Sequence, residues 1–265
     1  AVEAAYNARH AWKATPPPVR GKMLFRAARI LDEQLDDIAA IMTREEGKTL
    51  TEAKGEVRRA VNIMEYIAGE GRRINGETIY SELASNFAYT LKQPLGVVAC
   101  ITPWNFPVAI PVWKIAPALV AGNTVVFKPA TALPATSTKL MEIFAEAGIP
   151  PGVLNMVIGS GSEAGDEIVN HPAVRGVSFT GSNPVGVKLY EQVARRGAKA
   201  LCEMGGKNPM LVMEDADIDL AVDATAKGAF GATGQRCSAT SRAIVVDSIA
   251  DEFVKKLVGR ANSIT

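Results

Sequence analysis

The segment GATGQRCSAT, residues 231–240, places a cysteine in a stretch of small and polar residues that turns tightly. Cys237 follows Arg236 directly. Cysteine is among the residue types most often buried, so its position in a polar turn is unusual. Two interpretations stay open: the backbone turns here for packing, or it presents the thiol as a nucleophile. A neighbouring arginine would favour the thiolate that a nucleophile requires.

A carboxylate and an amide are the next candidates for chemistry. Glu203 ends an apolar strand pattern, and burial at that position would make it a usable general base. Cys202 alternates to the opposite side of the same strand and is interpreted as inert core. Asn105, in TPWNFP, has two interpretations. Its amide donates to an oxyanion, or it caps the helix that begins at Pro107, which is the simpler explanation when the motif is taken alone.

Three further stretches suit a nucleotide. GNTVVFKPAT delivers Lys128 at the end of a strand, where it would meet a ribose or a phosphate, and a solvated surface lysine is the alternative. FTGSNPVG combines a strand, a turn at Gly181 and a helix N-terminus at Ser182, which suits a phosphate. GSGSEAG, with Gly161 and Gly165, is similarly rich in glycine. Neither stretch matches the G-x-G-x-x-G fingerprint, and plain turn chemistry is the simpler explanation for each one alone.

The elements that must position these residues alternate in type. From Gly96 onward, short apolar runs and amphipathic stretches alternate five times, which is typical of a parallel sheet covered by helices. Such sheets bind ligands beyond the carboxyl ends of their strands, where the candidate stretches fall. Residues 1–75 have helical periodicity, with one apolar face running from Leu24 to Ile41 and a second helix starting near Leu50. A hairpin-like extension is predicted for residues 78–92.

Composition excludes several classes of function. Of 265 residues, 48% are hydrophobic and 22% are charged, as in a globular protein. A formal net charge of +1 gives no electrostatic basis for binding nucleic acid or an anionic membrane surface, and no apolar run is long enough for a transmembrane helix. Three widely spaced cysteines argue against disulfides and a metal site, and they favour a reducing, cytoplasmic location. Two histidines make a His-dependent triad an unfavoured hypothesis.

Taken together and in this order, PWNFP, GNTVVFKP, FTGS, EMGGKNP and GQRC resemble the aldehyde dehydrogenase superfamily along essentially the whole chain. Within it, the chain is most similar to the dehydrogenases of 2-oxoglutarate semialdehyde and succinate semialdehyde. The resemblance implies an α/β fold in which residues 1–75 and 95–205 form a Rossmann-like coenzyme domain with a parallel sheet. Residues 76–94 would be a β-hairpin for assembly into a homodimer or homotetramer, and residues 206–265 the incomplete start of an α/β catalytic domain.

The resemblance also implies a role for each matching residue. Cys237 would be the nucleophile, Glu203 the general base and Asn105 an oxyanion donor, with Lys114 a further active-site residue. The reaction would be oxidation of an aldehyde to a carboxylic acid through a cysteine thioester, with NAD or NADP as the coenzyme. The coenzyme would bind Thr102, Pro103, Trp104, Lys128, Thr131, Gly161, Gly165, Phe179, Thr180, Gly181, Ser182 and Gly205.

Two residues bear on specificity. Many NAD-specific relatives place a glutamate at the position of Thr131, and a neutral threonine would not repel a 2′-phosphate, so NADP is expected to be accepted beside NAD. Arg236 has three interpretations: it binds the carboxylate of an anionic aldehyde, it tunes the thiol, or it forms a structural salt bridge. A small polar mouth at residues 238–240 suits a short anionic semialdehyde. Glyceraldehyde 3-phosphate, as in the non-phosphorylating dehydrogenases, is the second choice.

One feature departs from the family pattern. Family chains are nearly twice as long, and their later E-x-F-G-P motif, which holds the nicotinamide ribose, does not occur in this sequence. Either the chain is part of a longer enzyme, or it is a truncated, non-catalytic protein that binds nucleotides or assists assembly. Intact Cys237, Glu203 and Asn105 favour the first expectation.

Overall fold

The computed structural model describes residues 1–264, and the chain divides into two compact units, Ala1–Glu203 and the residues from Met204 onward. The helices of the described chain are α1 (Val2–Ala14), α2 (Pro17–Glu33), α3 (Leu35–Glu46), α4 (Leu50–Glu70), α5 (Ala109–Val120), α6 (Pro134–Glu146), α7 (Asp166–Asn170), α8 (Asn183–Arg195), α9 (Ile218–Phe230) and α10 (Asp247–Asn262). Its strands are β1 (Thr78–Ile79), β2 (Ala88–Tyr89), β3 (Val97–Ile101), β4 (Thr124–Lys128), β5 (Leu154–Met156), β6 (Val174–Gly181), β7 (Lys199–Met204), β8 (Asn208–Val212) and β9 (Thr240–Val245).

A five-stranded sheet forms the centre of the first unit, with the strand order β5-β4-β3-β6-β7. Strand β3 pairs in parallel with β4 and with β6, and the register places Ile101 beside Lys128 on one side and Phe179 on the other. The carboxyl ends of these three strands therefore lie side by side. The α/β fold with a parallel sheet, predicted from the alternation of apolar runs and amphipathic stretches, is confirmed.

The main core joins this sheet to the N-terminal helices. Alternate residues of β3 and β4 contribute to one buried cluster with the apolar faces of α2 to α6. Representative members are Leu24, Leu31, Met64, Val98, Cys100, Ile115, Leu119, Val125, Phe127 and Phe144. Residues two apart in a strand, and three or four apart in a helix, point to the same side of their element. The apolar residues at both spacings therefore pack into the same core.

The N-terminal helices differ in one respect from the prediction. The apolar face from Leu24 to Ile41 belongs to two helices, α2 and α3, which are separated at Gln34 with φ −102° and ψ 17°. The apolar periodicity runs through this break because both helices contribute to the same core. The next helix begins at Leu50 as predicted, since the Thr49 hydroxyl accepts the N–H of Glu52 at 3.3 Å and so caps α4.

An antiparallel hairpin projects between α4 and β3. Thr78 pairs with Tyr89 and Ile79 with Ala88, which confirms the hairpin predicted within residues 78–92. Its apolar side chains are exposed in this chain, namely Ile79, Tyr80, Leu83, Phe87, Tyr89 and Leu91.

The second unit contains one parallel strand pair and two helices. Strands β8 and β9 pair along their length, and α9 and α10 pack with them around Val212, Val222 and Phe253. Across residues 1–264 of both units, we find no helix with the length and apolar character needed to cross a membrane.

Candidate active site

The carboxyl ends of β3, β4 and β6 form one edge of the central sheet. The N–H of Thr102 donates to the carbonyl oxygen of Lys128 at 3.1 Å and ties the loop after β3 to β4. Thr102 and Thr180 are buried, whereas Trp104 is exposed. This edge, with the loops that leave it, carries most of the predicted coenzyme residues: Thr102, Pro103, Trp104, Lys128, Thr131, Phe179, Thr180, Gly181 and Ser182.

A cavity of about 340 Å³ opens beside this edge, within the first unit. Its wall combines apolar side chains with two lysines, and it includes Ile101, Lys128, Gly161, Ser162, Gly165, Asp166, Val169, Phe179, Val185, Lys188, Leu189 and Gln192. Four predicted coenzyme residues, Lys128, Gly161, Gly165 and Phe179, meet here. The size and the mainly apolar wall with a few polar groups are typical of a site for a small molecule or a cofactor.

Lys128 is the buried cation of the cavity. It is 6% exposed, so the alternative of a solvated surface lysine is wrong. Its Nζ donates to the carbonyl oxygen of Pro129 at 2.9 Å, and burial lowers its pKa. A β-carbon added to Gly165 would lie 3.8 Å from the Lys128 stem, so the π-helix Gly161–Gly165 packs close to the lysine.

Sequence reasoning missed the wall that α8 contributes. Val185, Lys188, Leu189 and Gln192 line the cavity at spacings of three and four residues along one helix face. Lys188 also forms an ion pair with Asp166 at 3.4 Å. These residues could have been predicted from the sequence, because they lie on one face of an amphipathic helix that follows the predicted ligand-binding turn.

Seven predicted coenzyme residues of the first unit lie outside the cavity wall that the described residues form: Thr102, Pro103, Trp104, Thr131, Thr180, Gly181 and Ser182. Thr131 is exposed, and its hydroxyl donates to the carbonyl oxygen of Gly159 at 2.9 Å. Gly181 has a packing role, since a β-carbon there would approach the Phe179 ring to 2.4 Å. Gly205 belongs to the second unit.

The loop that carries Asn105 is held by residues far away in sequence. Val108 occupies the N-cap position of α5, so the interpretation of Asn105 as the helix cap is wrong. The Glu56 carboxylate accepts the N–H groups of Val108, at 2.8 Å, and Ala109, at 3.0 Å. Lys48 donates to the carbonyl oxygen of Asn105 at 2.9 Å. Neither Lys48 nor Glu56 was predicted, because each lies about 50 residues before the loop and outside any motif.

Lys114 lies on α5 beneath the strand ends. Its Nζ donates to the Ser178 hydroxyl at 3.1 Å and to the Phe179 carbonyl oxygen at 3.2 Å. Burial lowers its pKa, while the nearby thiol of Cys100 and the carboxylate of Glu203 act in the opposite direction. Lys114 is thus a buried cation that is hydrogen-bonded to two consecutive residues of β6.

Strand β7 does not bury its residues as predicted. Glu203 is exposed, so the expectation of a buried carboxylate is wrong for this chain. Cys202 is half-buried rather than core, and its thiol donates to the Gly186 carbonyl oxygen at 3.6 Å. Both results have one cause: β7 is an edge strand of the sheet, and its two faces alternate between exposed and half-buried positions.

In the second unit, the predicted nucleophile lies on a strained turn. Ala232, Thr233 and Gly234 have successive φ values of 49°, 53° and 72° in the left-handed region. Cys237 follows three residues later and is exposed. Asn208 anchors the turn, since its Nδ2 donates to the carbonyl oxygens of Cys237, at 2.7 Å, and of Ala239, at 3.2 Å.

Small residues pack against this turn. A β-carbon on Gly206 would lie 3.1 Å from the Cys237 carbonyl oxygen, so the approach of the GGKNP segment leaves little room for a side chain. Gly231 lies against the half-buried Arg236, whose guanidinium would be 3.0 Å from an added β-carbon. The thiol is therefore displayed at the surface of its own unit on a fixed backbone.

Comparisons with known proteins agree with this arrangement. The family model described as "Aldehyde dehydrogenase family" matches residues 1–265. Alpha-ketoglutaric semialdehyde dehydrogenase of Bacillus subtilis is 50% identical over 265 residues, and succinate-semialdehyde dehydrogenase (NADP+) of Escherichia coli is 43% identical over 257 residues. These matches cover 100% and 97% of this chain but only 54% and 53% of the relatives. The chain therefore spans about half the length of the curated relatives it matches.

A solved structure is also similar to this chain. Betaine aldehyde dehydrogenase of Staphylococcus aureus, determined in complex with NAD+, matches with a TM-score of 0.97 at 37% identity. The match covers 100% of this chain and 53% of that structure.

Proposed function

The chain belongs to the aldehyde dehydrogenase family, and on that premise we propose that the full-length protein oxidises an aldehyde to a carboxylic acid with NAD or NADP. The observation that carries the proposal is the exposed Cys237 thiol on a turn anchored by Asn208. Free cysteines are usually buried, so an exposed one on a fixed, strained backbone suits a nucleophile.

The cavity of the first unit fits the adenosine part of a dinucleotide. Its apolar wall, from Ile101 to Leu189, suits a flat ring, and Lys128 and Lys188 supply donors for ribose hydroxyls and phosphates. The Escherichia coli relative and the solved neighbour support both coenzymes, since the name of the first includes NADP+ and that of the second includes NAD+. Thr131, which is exposed and uncharged, supports acceptance of NADP.

The proposed residue roles follow from the chemistry of a thiol and a carbonyl. The Cys237 thiolate attacks the carbonyl carbon, a C–S bond forms, and the carbonyl electron pair moves to the oxygen. Asn105 and the backbone N–H of Cys237 donate to this oxyanion. When bound, the coenzyme would supply the acceptor for a hydride from the same carbon, and the electron pair of the oxyanion would re-form the carbonyl bond to give a thioester of Cys237. Glu203 then takes a proton from water, the hydroxide attacks the resulting thioester, and the C–S bond breaks to release the acid.

The substrate we propose is a short anionic semialdehyde, 2-oxoglutarate semialdehyde or succinate semialdehyde. Two relatives that share 50% and 43% of their aligned residues carry these substrates in their names. Arg236, half-buried beside Cys237, supplies a cation for the distant carboxylate of the substrate. Ser238, Ala239 and Thr240 are small, and two of them are polar, which suits a short chain.

We propose three further features: the domain bounds, the assembly and the location. Residues 1–75 and 95–205 would form the coenzyme domain, and residues 206–265 would belong to a catalytic domain. The hairpin at 76–94 would assemble a homodimer or homotetramer, which its exposed apolar side chains support. Three free cysteines support a reducing, cytoplasmic location.

The decisive experiment uses the full-length protein and two cysteine variants. With 2-oxoglutarate semialdehyde, Cys237→Ala should retain less than about 1% of wild-type turnover, because a covalent route loses several kcal/mol without its nucleophile. Coenzyme binding, followed by quenching of protein fluorescence, should change little. Cys202→Ala is the control and should turn over like the wild type. Turnover by Cys237→Ala close to that of the control would refute the proposal.

A further inference from the structure

Two charged residues of the first unit form a buried pair next to the Asn105 loop. Glu56 lies on α4, and Lys48 lies in the short connection between α3 and α4. Their side chains are 4% exposed for Lys48 and 1% exposed for Glu56, and they form an ion pair. Removing two charges from water is costly unless their remaining hydrogen-bonding positions are also used. The other hydrogen bonds of Glu56 and Lys48 therefore show which part of the chain the pair supports.

Glu56 holds the far end of the loop. One carboxylate oxygen accepts the N–H groups of Val108, at 2.8 Å, and Ala109, at 3.0 Å. These are among the amides at a helix start that have no partner within the helix. The N-cap residue, Val108, has no polar side chain, so the carboxylate from α4 takes the place of a capping side chain.

Lys48 holds the near end. Its ammonium group donates to the second carboxylate oxygen of Glu56 and, at 2.9 Å, to the carbonyl oxygen of Asn105. It also lies 4.4 Å from the centroid of the Phe106 ring, where the ring face attracts a cation. A charge-assisted bond to the backbone of Asn105 restricts the peptide from which the Asn105 side chain projects.

We propose that Lys48 and Glu56 are positioning residues for the oxyanion donor Asn105. The inference rests on the proposed function, in which the Asn105 amide donates to the oxyanion. Together the pair bonds to both ends of the segment Asn105–Ala109, so the amide is set in place before substrate arrives. Preorganised donors of this kind stabilise an oxyanion because they need no reorganisation during the reaction.

A matched carboxylate exists on the neighbouring helix. Glu45, near the end of α3, accepts the N–H groups of Ala135, at 2.7 Å, and Thr136, at 2.8 Å. It caps the N-terminus of α6 as Glu56 caps that of α5. Its partners belong to α6 and not to the Asn105 loop or to α5. Glu45→Gln therefore controls for the loss of a carboxylate that caps a helix.

The test compares two reactions of Cys237 in the full-length enzyme. The pre-steady-state burst of reduced coenzyme requires an oxyanion, whereas alkylation of the thiol by iodoacetamide does not. Lys48→Met and Glu56→Gln should each slow the burst by about tenfold or more, which is less than complete removal of an oxyanion donor costs. Both variants should leave the alkylation rate and the coenzyme KM near wild type. Glu45→Gln should leave both rates near wild type. A wild-type burst in Lys48→Met would overturn the inference.

A double-mutant cycle separates positioning from general damage. In an Asn105→Ala background, Lys48→Met should slow the burst by no more than about twofold, because the donor it positions is already gone. Equal losses in both backgrounds would overturn the inference. Lys48 also pairs with the buried carboxylate of Glu46 at 3.3 Å. If Lys48→Met does not fold, the triple variant Lys48→Met/Glu46→Gln/Glu56→Leu therefore removes all three charges and is judged by the same cycle. Absence of aldehyde oxidation by the wild type would refute the proposed function instead.

Discussion

The side-chain amide of Asn208 lies 2.7 Å from the carbonyl oxygen of Cys237 and donates a hydrogen bond to it. A second bond, to the carbonyl oxygen of Ala239 at 3.2 Å, fixes the backbone on the far side of Ser238. Asn208 begins β8, so the position of the thiol is tied to a regular strand rather than to the turn alone. The strained residues before Cys237 need such support, since left-handed backbone is unfavourable for Ala232 and Thr233.

We therefore expect Asn208→Ala to misplace the thiol without removing it. The burst rate of the full-length enzyme should fall by about tenfold or more, because small displacements of a nucleophile are costly in rate. Ser241→Ala is the control, since its hydroxyl makes only a long bond of 3.4 Å to the Asn208 carbonyl oxygen. Stopped-flow fluorescence of the reduced coenzyme measures both variants. A burst in Asn208→Ala as fast as in the control would contradict this role.

For Glu203→Gln we expect the burst to persist while the steady state slows. Hydrolysis of the thioester requires a base, whereas attack by an already ionised thiol does not. Steady-state turnover should drop by about a hundredfold or more, within the usual range for a general base. Glu191→Gln, on an exposed position of α8, should behave like the wild type. Equal losses of burst and steady-state rates would show that Glu203 acts before acylation as well.

The sequence predicted the elements of the sheet but not how they are arranged. Apolar runs and helical periodicity located β4, which ends at Lys128, and β6 together with the helix α8 that follows it. The order β5-β4-β3-β6-β7 depends on packing between distant segments, and the exposure of Glu203 follows from the edge position of β7. Local pattern carries no information about which strand lies at an edge.

The site shows the same division. Lys128 and Gly165 were found because a strand end and a glycine-rich turn are local signals, and they meet in the cavity. Lys48 and Glu56 were missed because their partners in the Asn105 loop lie about 50 residues away. Asn208 was missed for a related reason: an asparagine at the start of a strand has no local feature that indicates a bond to residue 237.

Stability should depend on pH through Glu46. Burial raises the pKa of Glu46 from 4.5 to about 7, with Lys48 acting in the opposite direction and the carboxylates of Glu56 and Glu52 adding to the rise. Between these two values the folded state binds more protons than the unfolded state, so stability falls as the pH rises. Above the folded pKa the full penalty of a buried charge remains.

Glu46→Gln removes this dependence because the amide does not titrate. Relative to the variant, the wild type should lose about 2–3 kcal/mol of unfolding free energy between about pH 5 and about pH 8. Urea unfolding of both proteins at the two pH values measures the difference in unfolding free energy between the wild type and the variant. The titration of all other groups cancels from this difference to first order. A difference that stayed constant, or grew in favour of the wild type with rising pH, would show that Glu46 is not buried in charged form.

Coenzyme choice should respond to the charge at Thr131. Thr131→Glu places a carboxylate in the loop after β4, where it would repel a 2′-phosphate and accept bonds from ribose hydroxyls. The ratio of kcat/KM for NADP to that for NAD should fall by about tenfold or more. Thr131→Gln introduces a side chain of the same size as glutamate but without its charge, and it should change the ratio by less than about threefold. A similar fall in both variants would indicate size rather than charge.

Arg236 provides the test of an anionic substrate. It is half-buried, directly precedes Cys237, and its guanidinium packs beside Gly231. If it binds the substrate carboxylate, Arg236→Met should cost about 2 kcal/mol in kcat/KM for succinate semialdehyde, or about thirtyfold, and little for butanal. If instead it tunes the thiol or supports the turn, both aldehydes should lose equally.

Arg242 offers a control for Arg236→Met, because its removal shows what the loss of any nearby cation does to the reaction. It lies on β9, is exposed, and donates to the carbonyl oxygen of Lys207 at 2.9 Å. Arg242→Met removes the same charge and a similar volume a few residues further along the chain. Because screening weakens an exposed charge over distance, its loss should alter succinate semialdehyde and butanal by similar, small factors. A selective loss confined to Arg236→Met would therefore support a direct contact with the substrate carboxylate, while selective losses in both variants would indicate a diffuse field.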